Sequence, residues 1–189
     1  MRAQDESPGL QIKDPNPGGT TCESPGRSPG VGDIYNASPG GTTPDMGHSY
    51  SNVLVHIVFS TKNRAKIIPR DRHEDLWRYM TGIAKNIKVN VLAIGGMPDH
   101  IHTLVALPGT IGHSTVIQKI KENSSKWMGP KFEWQEGFGA FSVSDSRRED
   151  VIAYIHNQED HHKKRTFEEE FIALLKAHNV DYDPRYVFG

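Results

Sequence analysis

Two histidines, His100 and His102, alternate within an apolar stretch whose composition is typical of a β-strand. Side chains two residues apart on a strand point to the same face of a sheet. The two imidazoles are therefore expected to lie close enough to bind one divalent metal ion, for which neutral imidazole is a suitable ligand. Histidines with this spacing also occur on solvated strand faces, so the pair alone leaves both interpretations open.

A second pair of residues, Tyr154 and Gln158, lies four positions apart in a stretch predicted to be helical. Residues at this spacing share one face of a helix. One interpretation is a buried structural pair, which is a common role for tyrosine. The other is a tyrosine nucleophile beside Gln158 as a third metal ligand.

The four residues together have the types needed to cleave a phosphodiester. A divalent metal acts as a Lewis acid and orients the phosphate. A tyrosine oxygen is a possible covalent nucleophile, although its ordinary pKa near 10 means that it must be activated. A phosphotyrosine intermediate conserves the energy of the broken bond, which suits transfer of a strand better than simple hydrolysis.

The predicted secondary structure can bring these residues together. Strands are predicted at 53–59, 91–97, 100–107 and 138–143, and helices at 70–88, 111–128, 147–160 and 167–178. Asp71 is a candidate N-cap of the first helix, and Asp145 or Ser146 of the third. A tight turn is expected at Pro98-Asp99. This order predicts an α+β fold, a ferredoxin-like or RRM-like split βαβ sandwich with an antiparallel sheet and extra C-terminal helices.

The first 45 residues differ in composition from the rest of the 189-residue chain. Fifteen of these 45 residues are Gly or Pro, and Ser-Pro-Gly occurs four times. Such a segment buries too little apolar surface to offset the entropy of ordering it. We therefore expect a disordered leader over 1–45 and a folded domain over 46–189. Because Met46 precedes the folded pattern, we favour a leader of translated upstream DNA over a docking tail.

Composition limits the location and the type of metal site. The single cysteine, Cys22, excludes a disulfide framework and a cysteine-based zinc site. Neither a signal peptide nor a membrane-spanning run is found in the sequence. A cytoplasmic protein without a membrane partner is expected.

The net charge of −1 does not by itself indicate nucleic acid, so a binding surface must come from local clusters of basic residues. Basic residues beside an aromatic suit single-stranded nucleic acid, through phosphate contacts and base stacking. Individually, each is as well explained by a solvated surface. The candidate DNA contacts are Lys62, Arg64, Lys119, Lys121, Lys126, Arg147, Arg148, Lys163, Lys164 and Arg165.

The sequence resembles the single-tyrosine HUH transposases of bacterial insertion sequences, including the REP-associated tyrosine transposases. Four ordered blocks carry the resemblance, namely VHIVFSTKNR at 55–64, GMPDHIH at 96–102, GFGAFSVS at 137–144 and YIHNQEDHH at 154–162. Asp160 stands where family members often have Glu, a conservative departure. The leader has no counterpart in the family pattern.

The resemblance implies roles for the four residues. His100, His102 and Gln158 would bind Mg²⁺ or Mn²⁺, and Tyr154 would be the nucleophile. It further implies a metal-dependent DNA-strand transferase that acts in DNA transposition. Such an enzyme cleaves and rejoins single-stranded, hairpin-containing DNA through a 5′-phosphotyrosine intermediate and leaves a free 3′-hydroxyl. A homodimer is also implied, in which the tyrosine helix of one subunit could complete the site of the other.

Three other classes of protein have similar residues or the same fold. A histidine-triad hydrolase needs a third alternating histidine, where Leu104 stands, and a two-histidine phosphoesterase needs a second motif beside His113-Ser114-Thr115. A non-catalytic or domesticated single-stranded nucleic-acid-binding module on the same fold stays open. For His161 and His162, the sequence favours neither a role at the site nor a surface role. His56 is expected to face a neighbouring strand rather than a ligand.

Overall fold

The structure is a computed structural model that describes residues 51–188, so the predicted leader over 1–45 lies outside the described residues. Four strands and five α-helices follow one another along this part of the chain. In chain order they are β1 (Val53–Ser60), α1 (His73–Asn86), β2 (Asn90–Met97), β3 (His100–Leu107), α2 (His113–Met128), β4 (Gly139–Val143), α3 (Arg148–His156), α4 (Gln158–His161) and α5 (Phe167–Ala177). Short 3₁₀ turns cover Lys62–Arg64, Arg70–Arg72 and Asp145–Arg147.

The four strands form one sheet in the order β2-β3-β1-β4, and every neighbouring pair is antiparallel. β2 and β3 are joined by the predicted turn at Pro98-Asp99. β1 and β3 are the two central strands, which places the histidines of β3 in the middle of the sheet. This topology confirms the predicted α+β, ferredoxin-like fold with additional C-terminal helices.

The two faces of the sheet have different coverings. Alternate residues of the central strands pack with α1 and α2 in the largest apolar core, which includes Val55, Ile57 and Ile101. The opposite alternation faces α3 and α5 through smaller apolar clusters around Val58 and Leu104. His56, His100 and His102 belong to this second face, because strand residues two apart point to the same side.

Helix α5 begins with a complete capping box. The Thr166 hydroxyl accepts a hydrogen bond from the Glu169 backbone N–H, and the Glu169 carboxylate accepts one from the Thr166 N–H. The arrangement satisfies two otherwise unpaired donors and fixes where the helix starts. Phe167 and Phe171 then pack on the second face of the sheet, around Val58 and Phe141.

Two predictions about helix caps are wrong. Asp71 does not cap α1, because a 3₁₀ turn precedes that helix and its N-cap is Arg72. Neither Asp145 nor Ser146 caps α3, because both belong to another 3₁₀ turn and the N-cap is Arg147. In both places the chain enters the helix through a tighter turn, which leaves no extended residue at the predicted cap.

The third predicted helix, 147–160, is interrupted. α3 ends at His156, Asn157 has φ −100° and ψ 28°, and α4 starts at Gln158. Tyr154 and Gln158 are therefore on two consecutive helices rather than on one, as the sequence had suggested. The Asn157 N–H still bonds to the carbonyls of Ala153 and Tyr154, so the interruption bends the chain without separating the two helices.

No helix within the described range of 51–188 combines the length and the apolar character that crossing a membrane requires.

Candidate active site

The two alternating histidines of β3 point into the second face of the sheet and are both buried. His100 is 1% exposed and His102 is fully buried. Each Nε2 atom faces the same carboxylate oxygen, Glu170 Oε2, at 3.8 Å from His100 and 3.3 Å from His102. The predicted convergence of the pair is therefore present, and its focus is a residue of α5.

The Nδ1 atom of each of these histidines has a hydrogen-bond partner on its outer side. His100 Nδ1 bonds to Asp99 Oδ1 at 2.6 Å, and His102 Nδ1 bonds to His56 Nε2 at 3.0 Å. A partner at Nδ1 fixes the ring orientation and directs the lone pair of Nε2 toward the centre. His56 faces the neighbouring strand β3, as expected. The residue that it contacts there is His102, one of the predicted metal ligands.

Glu170 is a buried carboxylate from the face of α5 that packs on the sheet. The residue is 2% exposed. Its Oε1 accepts a hydrogen bond from the Tyr154 hydroxyl, and its ion-pair partners within the described residues are all histidines: His100, His102, His161 and His162. A carboxylate in this position joins the tyrosine to the histidine pair.

His162 and Gln158 close the cluster on the side of α4. The Nε2 atom of His162 lies 2.9 Å from His100 Nε2, 3.2 Å from Glu170 Oε2 and 3.0 Å from Gln158 Oε1. The Gln158 amide group also donates to the Tyr154 carbonyl at 3.3 Å and to Glu170 Oε1 at 3.4 Å. Gln158 thus lies beside the histidines, but its oxygen is engaged by His162.

Tyr154 lies at the edge of this cluster in the same chain as the histidines. Its ring contacts His102 and His161 edge-on, with centroid separations of 5.8 Å and 5.1 Å. The half-buried phenol opens onto a cleft of about 780 Å³, and the buried residues His56 and Glu170 form part of its lining.

Gly95 in β2 allows the tyrosine helix to approach the sheet. A Cβ atom at this position would be 2.5 Å from the Ile155 carbonyl oxygen, a backbone atom that cannot move independently of α3. Only glycine permits this separation between β2 and α3. Because Ile155 follows Tyr154 directly, the absence of a side chain at Gly95 determines how closely Tyr154 approaches the sheet.

The protonation states follow from burial and from Glu170. Burial lowers the pKa of His102, and it lowers that of His56 to about 3, which keeps both imidazoles neutral. Burial raises the pKa of Tyr154, and the Glu170 charge raises it further. Burial alone would raise the pKa of Glu170, but the facing imidazoles of His102 and His162 and the Tyr154 hydroxyl hold it well below its usual range.

The donor atoms meet the requirements of a metal site. One ring nitrogen from each of His100, His102 and His162 and one carboxylate oxygen of Glu170 all lie within 4.8 Å of one another. A metal with ligands at about 2.1 Å separates neighbouring ligand atoms by about 3.0 Å in octahedral and about 3.4 Å in tetrahedral geometry. His102 Nε2 and Glu170 Oε2 are buried without a hydrogen-bond partner, which is costly unless a cation binds there.

The comparison with protein families identifies the chain. A model described as "Transposase IS200 like" matches residues 49–158, which is more than half of the chain. The chain belongs to the IS200-like transposase family. This result confirms the resemblance seen in the sequence. The matched segment contains His100, His102, Tyr154 and Gln158 and ends before His162 and Glu170.

Two solved structures are similar to this family member. A candidate transposase from Deinococcus radiodurans R1 is 20% identical with a TM-score of 0.48, and the match covers 62% of this chain and 98% of that one. A REP-associated tyrosine transposase bound to a REP hairpin is 18% identical with a TM-score of 0.49, and the match covers 61% and 72% of the two chains. A search of curated proteins found no match.

The predicted DNA contacts of this transposase fall into two groups. One cleft of about 880 Å³ is lined by the basic residues Arg64, Lys163, Lys164 and Arg165 together with His100 and His162. Lys62 lies in the same 3₁₀ turn as Arg64 and pairs with Glu133. Arg64, Lys163, Lys164 and Arg165 therefore share a cleft with the candidate site, whereas Lys62 lines a separate cleft with Glu133.

The remaining predicted contacts lie farther from the cleft of His100 and His162. Lys119, Lys121 and Lys126 belong to α2, on the opposite face of the sheet, and Lys121 donates to the carbonyls of Gln135 and Gly137. Arg147 precedes the tyrosine helix and pairs with Asp150, and Arg148 is the first residue of that helix and pairs with Asp145. The structure therefore does not bring the lysines of α2 together with the candidate site.

Sequence reasoning did not identify Glu170 or Asp99 as residues of the site. One signal for Glu170 was present, because Phe167, Glu170, Phe171 and Leu174 have the spacing of a single helix face. A glutamate on an otherwise apolar stripe must be buried with a partner. The structure places the imidazole of His162 beside His100 and Glu170, whereas the sequence favoured neither this position nor a surface one.

Proposed function

We propose that this transposase cleaves and rejoins single-stranded DNA through a 5′-phosphotyrosine intermediate formed on Tyr154. A divalent metal, Mg²⁺ or Mn²⁺, would be bound by His100 and His102, with Gln158 as the predicted amide ligand. The proposed role is DNA transposition. The observation that carries the proposal is the meeting of the Tyr154 hydroxyl and the two strand histidines at one buried carboxylate, Glu170, within a single chain.

The arrangement supports a nucleophilic role for Tyr154 more than a structural one. The Tyr154 hydroxyl donates to a carboxylate that also faces the two strand histidines, so the phenol lies beside the predicted metal ligands. In cleavage, the Tyr154 oxygen would bond to phosphorus as the bond to the 3′ oxygen breaks. The tyrosine proton is released in this step, and the leaving 3′ oxygen is protonated to a hydroxyl.

The chain's own residues would hold the components in place. Asp99 and His56 orient the two strand histidines, and Gly95 lets the tyrosine helix lie close to them. When bound, the metal would polarise the phosphate and stabilise the charge that develops on its oxygens. Holding the phenol and the phosphate in register is the contribution that the protein itself makes to the rate.

A single strand is the expected substrate because the clefts beside the cluster suit a flexible phosphate backbone. The cleft at His100 and His162 carries Lys163, Lys164 and Arg165, and Arg165 also lines the cleft at Tyr154. Basic side chains along such a path neutralise successive phosphates. Hairpin-containing DNA and a homodimeric assembly are further parts of the proposal, implied by the resemblance to HUH transposases.

Covalent capture of labelled DNA tests the proposal. The protein is incubated with Mn²⁺ or Mg²⁺ and with single-stranded hairpin oligonucleotides whose flanks are randomised, and it is then denatured and separated by electrophoresis. We expect a 3′-end label to migrate with the protein and a 5′-end label to be released on a shorter fragment. The adduct is expected to be absent with chelator and in Tyr154→Phe.

Tyr79→Phe is the matched control, since Tyr79 stacks on Trp127 away from the cluster. It is expected to form the adduct at the parental rate. An adduct that persists in Tyr154→Phe would show that another residue is the nucleophile. Tight binding of the oligonucleotides without any adduct would favour a non-catalytic nucleic-acid-binding module.

A further inference from the structure

Glu170 lies beyond the segment that the family model matches, yet it lies at the centre of the candidate site. The matched residues end at Gln158, and Glu170 follows on α5. Its burial is almost complete, with 2% of the residue exposed. A charged carboxylate at such a position requires a compensating cation or several donors.

The compensation found within the described residues is incomplete. One oxygen, Oε1, accepts the Tyr154 hydroxyl. The other oxygen, Oε2, has no hydrogen-bond partner, although the Nε2 atoms of His162 and His102 lie 3.2 Å and 3.3 Å away. His102 Nε2 is likewise buried without a partner. Two buried atoms that can each bind a cation therefore lie 3.3 Å apart.

A metal ion would satisfy both atoms at once. The separations of Glu170 Oε2 from the Nε2 atoms of His102 and His100, 3.3 Å and 3.8 Å, are close to those between neighbouring ligands of one ion. The Nδ1 atoms of both histidines already have partners on the outer side, so their Nε2 atoms face the centre. His162 Nε2 contacts both His100 Nε2, at 2.9 Å, and the oxygen of Gln158, at 3.0 Å.

We propose that Glu170 is a direct ligand of the metal, so that His100, His102 and Glu170 form the core of its binding site. This inference rests on the metal site of the proposed function and extends it to a helix outside the family match. The hydrogen bond from Tyr154 to the second carboxylate oxygen then makes Glu170 a bridge that positions the nucleophile beside the metal. With two imidazoles and one carboxylate, the donor set favours Mn²⁺ over Mg²⁺.

Binding of Mn²⁺ to the DNA-free protein tests this inference separately from cleavage. The concentration of free Mn²⁺ is followed by electron paramagnetic resonance as protein is added, with the parent chain, Glu170→Gln and Glu169→Gln. Loss of a ligand is expected to weaken binding at least about tenfold in Glu170→Gln. Glu169→Gln removes the same charge from an exposed neighbour while keeping an N3 side chain that suits the capping box, and parental affinity is expected.

Folding of each variant is checked by circular dichroism, and a crystal of the parent chain grown with Mn²⁺ supplies a measurement that needs no variant. An anomalous peak within about 2.3 Å of Glu170 Oε2 and of both histidine Nε2 atoms is expected. Parental affinity in Glu170→Gln, or a peak that Glu170 does not contact, would overturn the inference. If Mn²⁺ binding depends on Glu170 and no DNA adduct forms, only the proposed function fails. If the adduct forms and Glu170 does not affect binding, only this inference fails.

Discussion

The two faces of the sheet are built from the same strands and perform different tasks. On the side of α1 and α2, residues such as Ile57 and Ile101 form a continuous apolar core. On the side of α3 and α5, the intervening positions carry His56, His100 and His102, which are equally buried. Because side chains alternate along a strand, the two central strands stabilise the fold through one face and carry the buried histidines on the other.

The difference between the faces indicates that the buried polar residues mark the candidate functional site of this chain. Apolar burial contributes free energy of folding roughly in proportion to the area removed from water. Buried imidazoles and a buried carboxylate contribute little in this way and incur a desolvation cost. Their burial against the centre of the sheet is explained if they bind a ligand. Variants on the second face should therefore affect mainly cleavage, and variants on the apolar face mainly stability.

The largest expected effect is that of His102→Ala on cleavage. Loss of a metal ligand removes several kcal/mol of transition-state stabilisation, so we expect the rate of adduct formation to fall about a thousandfold or more. Stability should change less than for a core leucine, because an unpaired buried nitrogen is removed along with the packing. Adduct rates and metal-free urea unfolding check the two expectations, and near-parental cleavage would place the ligand set elsewhere.

Leu76→Ala is the corresponding change on the apolar face. Leu76 of α1 is fully buried in the largest core. Its truncation is expected to lower the free energy of unfolding by about 2 to 5 kcal/mol. The rate of adduct formation by the folded fraction should stay near the parental value at a temperature where the variant is folded. A loss of cleavage at unchanged stability would contradict the assignment of stability to the apolar face and of chemistry to the other.

Gly95→Ala tests how the tyrosine helix is held against the second face. The added methyl group meets the Ile155 carbonyl oxygen, so α3 must move outward. We expect a loss of about 1 to 3 kcal/mol of stability and, because Tyr154 moves with the helix, about a hundredfold slower adduct formation. Gly82→Ala is the control, since no atom lies near that position, and equal behaviour of the two variants would refute the positioning role.

The sequence predicted the fold and the side of the sheet on which the histidines lie. Both follow from short-range periodicity: alternation placed His100 and His102 together, and the order of elements specified the split βαβ arrangement. The strand bounds differ from the prediction by at most a residue or so, because β-branched and aromatic runs mark them clearly.

The parts that sequence reasoning missed depend on contacts between distant elements. Glu170 reaches the histidines only because α5 packs on the sheet, and no local pattern specifies that docking. The break at Asn157 is set by a bend between α3 and α4 that periodicity cannot reveal, since apolar spacing continues across it. The predictions of the helix caps were wrong for a simpler reason. 3₁₀ turns stand where a cap requires an extended residue.

Identification of the modified residue tests the central claim most directly. Trypsin cleaves after Arg148 and Lys163, and the peptide 149–163 contains Tyr154 as its only tyrosine. After the DNA adduct has been trimmed with nucleases, mass spectrometry is expected to find this peptide carrying a 5′-linked nucleotide on Tyr154. A nucleotide on any other residue, or an adduct whose mass shift maps outside peptide 149–163, would contradict the account.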